Sequence, residues 1–113
     1  MTNGITVSGL SGAVDSLLCY EINLPSGATS LNVQTWGGAG DADLLLVHHR
    51  PDFDDYYSDE WDNDEQILVA TPNSGKWYIG LVGWESYSGL SLQVSYVGEV
   101  KAMPWIPLLL LNN

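Results

Sequence analysis

A strict alternation of apolar and small polar residues runs through Leu90-Ser91-Leu92-Gln93-Val94-Ser95-Tyr96. Side chains two positions apart share one face of a β-strand, so this stretch predicts a strand with one dry and one solvent-facing side. The same two-residue period recurs over residues 20–24, 31–35 and 77–81. These repeats predict half-buried strands along most of the chain.

The segments between the alternating stretches are rich in glycine, proline, serine and asparagine, which are turn residues. No window carries the i, i+3, i+4, i+7 apolar stripe of a helix without a glycine or proline. We therefore expect residues 1–97 to form one all-β domain, an antiparallel β-sandwich or jelly roll of about eight short strands. The interval from Pro51 to Glu65 has no clear strand pattern and is interpreted as a long loop.

The last segment of the chain, residues 98–113, is apolar but does not alternate. It is much shorter than the run of about 20 apolar residues that spans a membrane, and its prolines oppose a helix. We expect no membrane span. The segment is interpreted as a tail that docks on the domain or on a partner, and a homodimer through this tail is one form that the docking can take.

The chain is strongly acidic, with three basic and fourteen acidic residues and a formal net charge of -11. Nucleic-acid binding releases counterions only where clustered lysines and arginines replace them, and Arg50, Lys76 and Lys101 are scattered. The composition therefore excludes a nucleic-acid partner and disfavours an anionic lipid surface.

Ten of the fourteen carboxylates fall between Asp41 and Glu65. Such a cluster is either a solvated loop or the ligand set of a hard cation, with Ca²⁺ as the candidate cofactor. Asp41 and Asp43 have a structural alternative, because Asp side chains can lock the preceding glycine turn by accepting its amide hydrogens. The spacing does not fit an EF-hand. The candidate metal ligands are Asp41, Asp43, Asp59, Asp62, Asp64 and Glu65.

Catalysis has little support in the sequence. No Gly-x-Ser-x-Gly elbow is present, and the many acids give no reason to select a catalytic pair. His48 and His49 point to opposite faces of one strand, so they cannot chelate one metal together and are expected at exposed or edge positions. Cys19 has no sequence neighbour that would activate it and is interpreted as a buried or half-buried structural thiol. We expect a protein that is not an enzyme.

The aromatic residues are the candidates for binding, because flat rings offer a large contact area at little cost in entropy. Trp77 and Tyr96 fall on core-facing positions of their strands and are expected to pack inside. Phe53, Tyr56, Tyr57 and Trp61 lie among the carboxylates, either as anchors to the core or facing a ligand. The candidate polymer-binding residues are Trp36, Tyr78, Trp84 and Tyr87.

Several motifs, taken in order, resemble the bacterial pre-peptidase C-terminal domain family. The most recognisable is Gly37-Gly38-Ala39-Gly40-Asp41-Ala42-Asp43-Leu44. Stretches 6–12 and 20–29 resemble the opening of such domains, and stretches 75–81 and 87–92 resemble their closing strands. The resemblance covers residues 4–97.

The resemblance implies a β-sandwich attached to the catalytic domain of a secreted bacterial hydrolase, commonly a protease. It also implies a role in secretion, maturation or the binding of insoluble extracellular polymer, with collagen suggested by the related collagen-binding domains. Family members often carry a cysteine pair flanking the loop after the Gly-Asp-Ala-Asp-Leu motif, where this chain has Asp59 and Ile67. This departure raises the alternative of a calcium-stabilised structural module with no polymer-binding role.

Overall fold

The computed structural model describes residues 1–48 and 54–98, and these residues form eight β-strands. The strands are β1 (Thr6–Gly12), β2 (Leu17–Leu24), β3 (Thr29–Trp36), β4 (Ala42–His48), β5 (Asp54–Ser58), β6 (Glu65–Val69), β7 (Gly75–Gly83) and β8 (Tyr87–Val97). The predicted all-β class and the strand number are confirmed.

The strands form two four-stranded sheets, one in the order β1-β8-β3-β6 and the other in the order β2-β7-β4-β5. Every pair of neighbouring strands is antiparallel. Among these strands, only β4 and β5 are consecutive in the chain and neighbours in a sheet; every other connection crosses between sheets. This crossing brings turns from both sheets together at each end of the sandwich.

The core lies between the sheets and follows the two-residue period of the sequence. Leu31 and Val33 of β3 and Leu90, Leu92 and Val94 of β8 are fully buried. Across from them, Trp77, Ile79 and Leu81 of β7 form the other side of the core. The Trp77 indole N–H donates to the carbonyl of Asn73 at 2.9 Å. Tyr96 packs against this core, as its strand position predicted.

Strand β5 corrects the interpretation of residues 51–65 as a loop without strands. Asp54–Ser58 pairs with β4 as the edge strand of its sheet. An edge strand pairs on one side only and tolerates charged residues, so its sequence carries little apolar alternation. The acidic composition therefore concealed a strand.

The expectation for His48 was wrong. Its side chain is fully buried, with its ring centroid 4.7 Å from that of Trp77 and its Nε2 bonded to the carbonyl of Ser74 at 3.0 Å. Strand β4 lies between β5 and β7, and His48 shares the inward phase of Leu44 and Leu46, which buries it.

Cys19 is exposed and not a buried structural thiol, because it shares the outward phase of Glu21 on β2.

Predictions for His49, Phe53 and residues 99–113 lie outside the described residues. Within the described ranges, no helix has the length and apolarity that crossing a bilayer requires.

Candidate functional site

The candidate site lies at the end of the sandwich where β3, β5 and β7 end and β4, β6 and β8 begin. A glycine turn, residues 37–40, follows β3 and shapes this end. Gly38 and Gly40 have φ angles of 69° and 91°, which favour glycine. A Cβ on Gly38 would lie 2.0 Å from the backbone oxygen of Ser88 at the start of β8, and a Cβ on Gly40 would lie 2.0 Å from that of Ser86 in the β7–β8 turn. Only glycine allows the two turns to approach this closely.

Asn63 holds the glycine turn in place from the β5–β6 side. Its side-chain amide donates to the carbonyls of Gly37 and Ala39 at 2.9 and 3.0 Å, and its Oδ1 accepts from the backbone N–H of Ala42 at 3.0 Å. Asp64 adds a bond from the Gly37 N–H at 3.3 Å. The turn-locking role considered for Asp41 and Asp43 is therefore carried by Asn63 and Asp64.

Three carboxylates meet next to this turn. One oxygen from each of Asp41, Asp43 and Glu65 lies within 4.8 Å of the others, and all three residues are buried. Asp41 and Asp43 stand at the start of β4, whereas Glu65 begins β6 in the other sheet. The cluster is thus built from both sheets.

The hydrogen bonds of the cluster are unevenly distributed. The Tyr57 hydroxyl donates to Asp43 Oδ2 at 3.0 Å. Glu65 Oε1 accepts from the hydroxyl of Ser58 and from the backbone N–H of Glu60. In contrast, Asp41 Oδ1 and Glu65 Oε2 are buried and have no hydrogen-bond partner among residues 1–48 and 54–98. Two acceptor atoms are therefore withdrawn from water without compensation, which costs free energy.

Burial raises the pKa values of all three carboxyl groups of the cluster. Burial raises the pKa of Glu65 to about 7, against the lowering effect of its bonds from Ser58 and Glu60. Burial also raises the pKa of Asp41, and the Asp43 charge adds to the increase. The pKa of Asp43 is raised by burial despite its bond from Tyr57. The three groups repel one another and favour protons or a cation.

An open cleft of about 190 Å³ lies over the cluster. Two of its lining residues are strongly exposed tryptophans: Trp61 is 93% exposed and Trp84 is 65% exposed. The turn that carries Trp84 is fixed to the cluster by a bond from the Glu85 N–H to the Asp41 carbonyl at 3.0 Å. The cleft is lined by Asp41, Asp43, Tyr57, Asp59, Glu60, Trp61 and Trp84.

The structure divides the six predicted metal ligands into two groups. Asp41, Asp43 and Glu65 form the cluster, and Asp59 lines the cleft beside it. Asp62 and Asp64 are exposed and bond to the backbone: Asp62 Oδ1 accepts from the Asp64 N–H at 2.9 Å.

The four predicted polymer-binding aromatics do not form one surface. Trp36 is 38% exposed on the side of β3 opposite to the buried Thr35, and Tyr78 is half-buried on β7 in the other sheet. Tyr87 was wrongly expected to be accessible, because its ring is only 3% exposed and packs against its strand partner Gly12. Trp84 alone lines the cleft.

The aromatics of the acidic stretch separate in the same way. Tyr56 is half-buried against the core, with its ring centroid 6.1 Å from that of Trp77. Tyr57 is 55% exposed and lines the cleft with Trp61. Tyr56 is therefore an anchor, whereas Tyr57 and Trp61 face the cleft.

Sequence reasoning missed Asn63 and Ser58 altogether. Both are small polar residues in a polar stretch, and no local pattern separates them from solvated neighbours. A signal for Asn63 was its position between Asp62 and Asp64, since asparagine offers donors as well as an acceptor where aspartate offers only acceptors.

The family sequence model for the bacterial pre-peptidase C-terminal domain matches residues 16–83 of this chain. The chain is also similar to alkaline serine exoprotease A of Vibrio alginolyticus, with 35% identity over 85% of this chain. It is 36% identical over 85% of the chain to an extracellular protease of Xanthomonas campestris pv. campestris. A microbial collagenase of Vibrio parahaemolyticus is 30% identical over 84% of the chain.

The matched region is a small part of these relatives, amounting to 18%, 17% and 12% of their lengths. Among solved structures, the solution structure of vEP C-ter 100 is similar, with a TM-score of 0.64 and 26% identity. That match covers 85% of this chain and 97% of the other. The similarity is therefore that of one domain with another.

Proposed function

This chain belongs to the bacterial pre-peptidase C-terminal domain family, and from this premise we propose that it is a non-catalytic accessory domain of a secreted, protease-type hydrolase. In this proposal it binds extracellular polymer through the cleft lined by Trp61 and Trp84. The parent catalytic domain is its covalent partner, and the whole assembly acts outside the cell.

The accessory role is supported by the lengths of the relatives. Two are named as proteases and one as a collagenase, yet this chain corresponds to no more than 18% of any of them. A piece of that size leaves the bulk of each relative to carry its named activity. On this basis the domain performs no hydrolysis itself and serves the parent by binding or by assisting its export and maturation.

The exposure of Trp61 is the observation that carries the binding role. An indole that is 93% exposed contributes little to the core, yet it keeps a large apolar surface in water. Trp84 and Tyr57 add two more exposed rings along the same cleft. Exposed aromatic rings around a cavity are typical of binding sites rather than of packing.

The charge of the cleft narrows the class of polymer. Asp59 and Glu60 join the buried carboxylates in its lining, so a polyanionic polymer is repelled. A basic side chain is attracted by the carboxylates and by the faces of the tryptophan rings. We therefore favour a fibrous protein of the collagen type, a polymer with lysine and arginine side chains, over neutral glycans.

Co-sedimentation with insoluble collagen, chitin and cellulose tests this function. The purified chain is expected to pellet with collagen, and Trp61→Ala and Trp84→Ala are each expected to weaken binding by roughly tenfold or more. Trp36→Ala is the matched control, because it removes an exposed tryptophan that does not line the cleft. Thermal unfolding of each variant checks that the fold is intact.

The outcomes separate the parts of the proposal. Equal loss with Trp36→Ala would move the binding surface away from the cleft. Binding to chitin or cellulose alone would overturn the collagen-type assignment but keep the anchoring role. No binding to any polymer would contradict anchoring to these polymers, and measurable peptide hydrolysis by the isolated chain would contradict the non-catalytic role.

A further inference from the structure

Two oxygen atoms of the buried carboxylate cluster receive no hydrogen bond from the described residues. Asp41 is 5% exposed and Glu65 is 2% exposed, and each keeps one oxygen buried without a partner. A solvated acidic loop would leave these oxygens to water. Here both oxygens are buried within the protein instead.

The donor set identifies the kind of ligand that would satisfy these oxygens. Asp41, Asp43 and Glu65 offer only carboxylate oxygens, which are the ligands of hard cations such as Ca²⁺ and Mg²⁺. Their oxygens lie within 4.8 Å of one another, a separation that one ion can bridge with small side-chain movements. A divalent ion would also neutralise most of the charge that the three groups carry when ionised.

We propose that Asp41, Asp43 and Glu65 bind one Ca²⁺ ion between the two sheets. Calcium is favoured over magnesium because it accepts six to eight oxygens in irregular arrangements, whereas magnesium demands near-octahedral geometry and retains its waters. The cleft side of the cluster gives water and further oxygens, including those of Asp59, access to the ion. Asp62 and Asp64, which point outward, are not ligands.

The position of the cluster gives the ion a structural consequence. Asp41 and Asp43 belong to the sheet that contains β4, and Glu65 belongs to the sheet that contains β6. An ion held by all three residues links the two sheets next to the glycine turn. Because the ion binds only the folded chain, it raises the unfolding temperature with increasing concentration.

The proposal is tested on the purified full chain after treatment with a chelator, without polymer. Calcium at about a hundred times its dissociation constant is expected to raise the unfolding temperature by roughly 10 °C. Tb³⁺, a luminescent substitute for Ca²⁺, is expected to emit on excitation of tryptophan, because Trp61 and Trp84 line the same cleft. Added Ca²⁺ should displace it and remove the emission.

Variants assign the ligands. Glu65→Gln and Asp43→Asn are expected to abolish the calcium shift and the Tb³⁺ emission. Both should fold in the metal-free state, since each substitution replaces a buried carboxylate with a neutral amide of similar shape. Asp62→Asn is the matched control: it removes one charge from the same loop but keeps the oxygen that bonds the Asp64 N–H. It should retain the full shift.

Three results would overturn the proposal. The first is the absence of a calcium shift and of Tb³⁺ emission in the folded wild-type chain. The second is a shift that Asp62→Asn loses and Glu65→Gln keeps, which would indicate screening of surface charge. The third is an equal shift with Mg²⁺, which would overturn the calcium assignment. None of these depends on polymer binding, so the two proposals fail separately.

Discussion

At the scale of the residue, burial and hydrogen bonding decide what each polar side chain of the site does. Asn63 and Asp64 are adjacent, but Asn63 is buried and bonds to three backbone groups, whereas Asp64 is exposed. Glu65 is also buried, yet one of its oxygens stays without a partner. One polar stretch therefore contains a buried residue that holds the glycine turn, an exposed acid that adds one bond to that turn, and a candidate metal ligand.

Asn63→Ala is expected to lower the free energy of unfolding by about 3 kcal/mol. It leaves the buried N–H of Ala42 without its partner, which costs about 1–3 kcal/mol, and it removes two bonds to carbonyls of the exposed residues Gly37 and Ala39, worth about 1 kcal/mol or less each. Denaturant unfolding measures the change. Gln66→Ala is the control, because its single side-chain bond, to Asn32, is exposed and its loss should cost less than about 0.5 kcal/mol. Similar losses of stability for both variants would contradict the role of Asn63 in holding the glycine turn.

The pH dependence of stability in chelator follows from Glu65. Its pKa is raised from 4.5 to about 7 in the folded chain, so between these values the unfolded chain has released a proton that the folded chain retains. The free energy of unfolding therefore falls as the pH rises through this window, and the contribution is fully present only below it.

Glu65→Gln removes this titration and should flatten the fall in stability between about pH 5 and about pH 8, measured by denaturant unfolding. Asp41 and Asp43 face the same group and keep their own raised pKa values, so some fall remains. A profile in the variant as steep as that of the wild-type chain would contradict the assignment.

At the scale of the element, the shape of the glycine turn before β4 depends on its pairing with the start of β8. Ala39 pairs with Ser88 through two backbone hydrogen bonds, at 2.9 and 3.0 Å. Gly38 lies so close to this partner that no side chain fits. The bond from the Glu85 N–H to the Asp41 carbonyl, just after the glycine turn, holds Trp84 at the cleft, so this region organises both the cluster and the cleft.

Gly38→Ala is expected to destabilise the domain by more than about 2 kcal/mol, because positive φ and steric collision both oppose a Cβ. Gly9→Ala separates the two effects, since Gly9 also has a positive φ, 72°, but a Cβ there meets nothing within 4 Å. That control should cost only about 1 kcal/mol, the backbone term. Equal unfolding midpoints for the two variants would show that the contact between the turns contributes nothing.

At the scale of the whole molecule, the two sheets enclose one continuous core. Its fully buried members extend from Leu31 to Val94, and the strands that carry them end at Val97. The carboxylate cluster lies at one end of this core and takes its residues from both sheets. An ion there would complete the connection between them.

A chain shortened to residues 1–98 is expected to unfold in one cooperative transition, because it retains the core and the strand pairs of the described residues. Calorimetry of the shortened and full chains measures this. Loss of the transition would show that residues 99–113 are required for folding. A full chain that is dimeric in solution beside a shortened chain that is monomeric, as measured by light scattering, would assign pairing to the tail.

The sequence by itself determined the fold class and the inward face of most strands. A strand buries every second side chain, and that period is visible without knowledge of which strands are neighbours. The same rule puts Cys19 on the outward face with Glu21 and His48 on the inward face with Leu46. Both residues lie on these faces in the structure. Those two expectations were wrong because general preferences of the residue types were given more weight than the period.

Only the tertiary structure decided which acids and aromatics meet. Asp43 and Glu65 are far apart in the chain and lie in different sheets, and their approach depends on strand order, which local sequence does not specify. Trp84 and Trp61 share a cleft for the same reason, whereas Trp36 and Tyr78 lie in opposite sheets. Local periodicity selects the face of a strand, but the contacts between strands distant in sequence select the site.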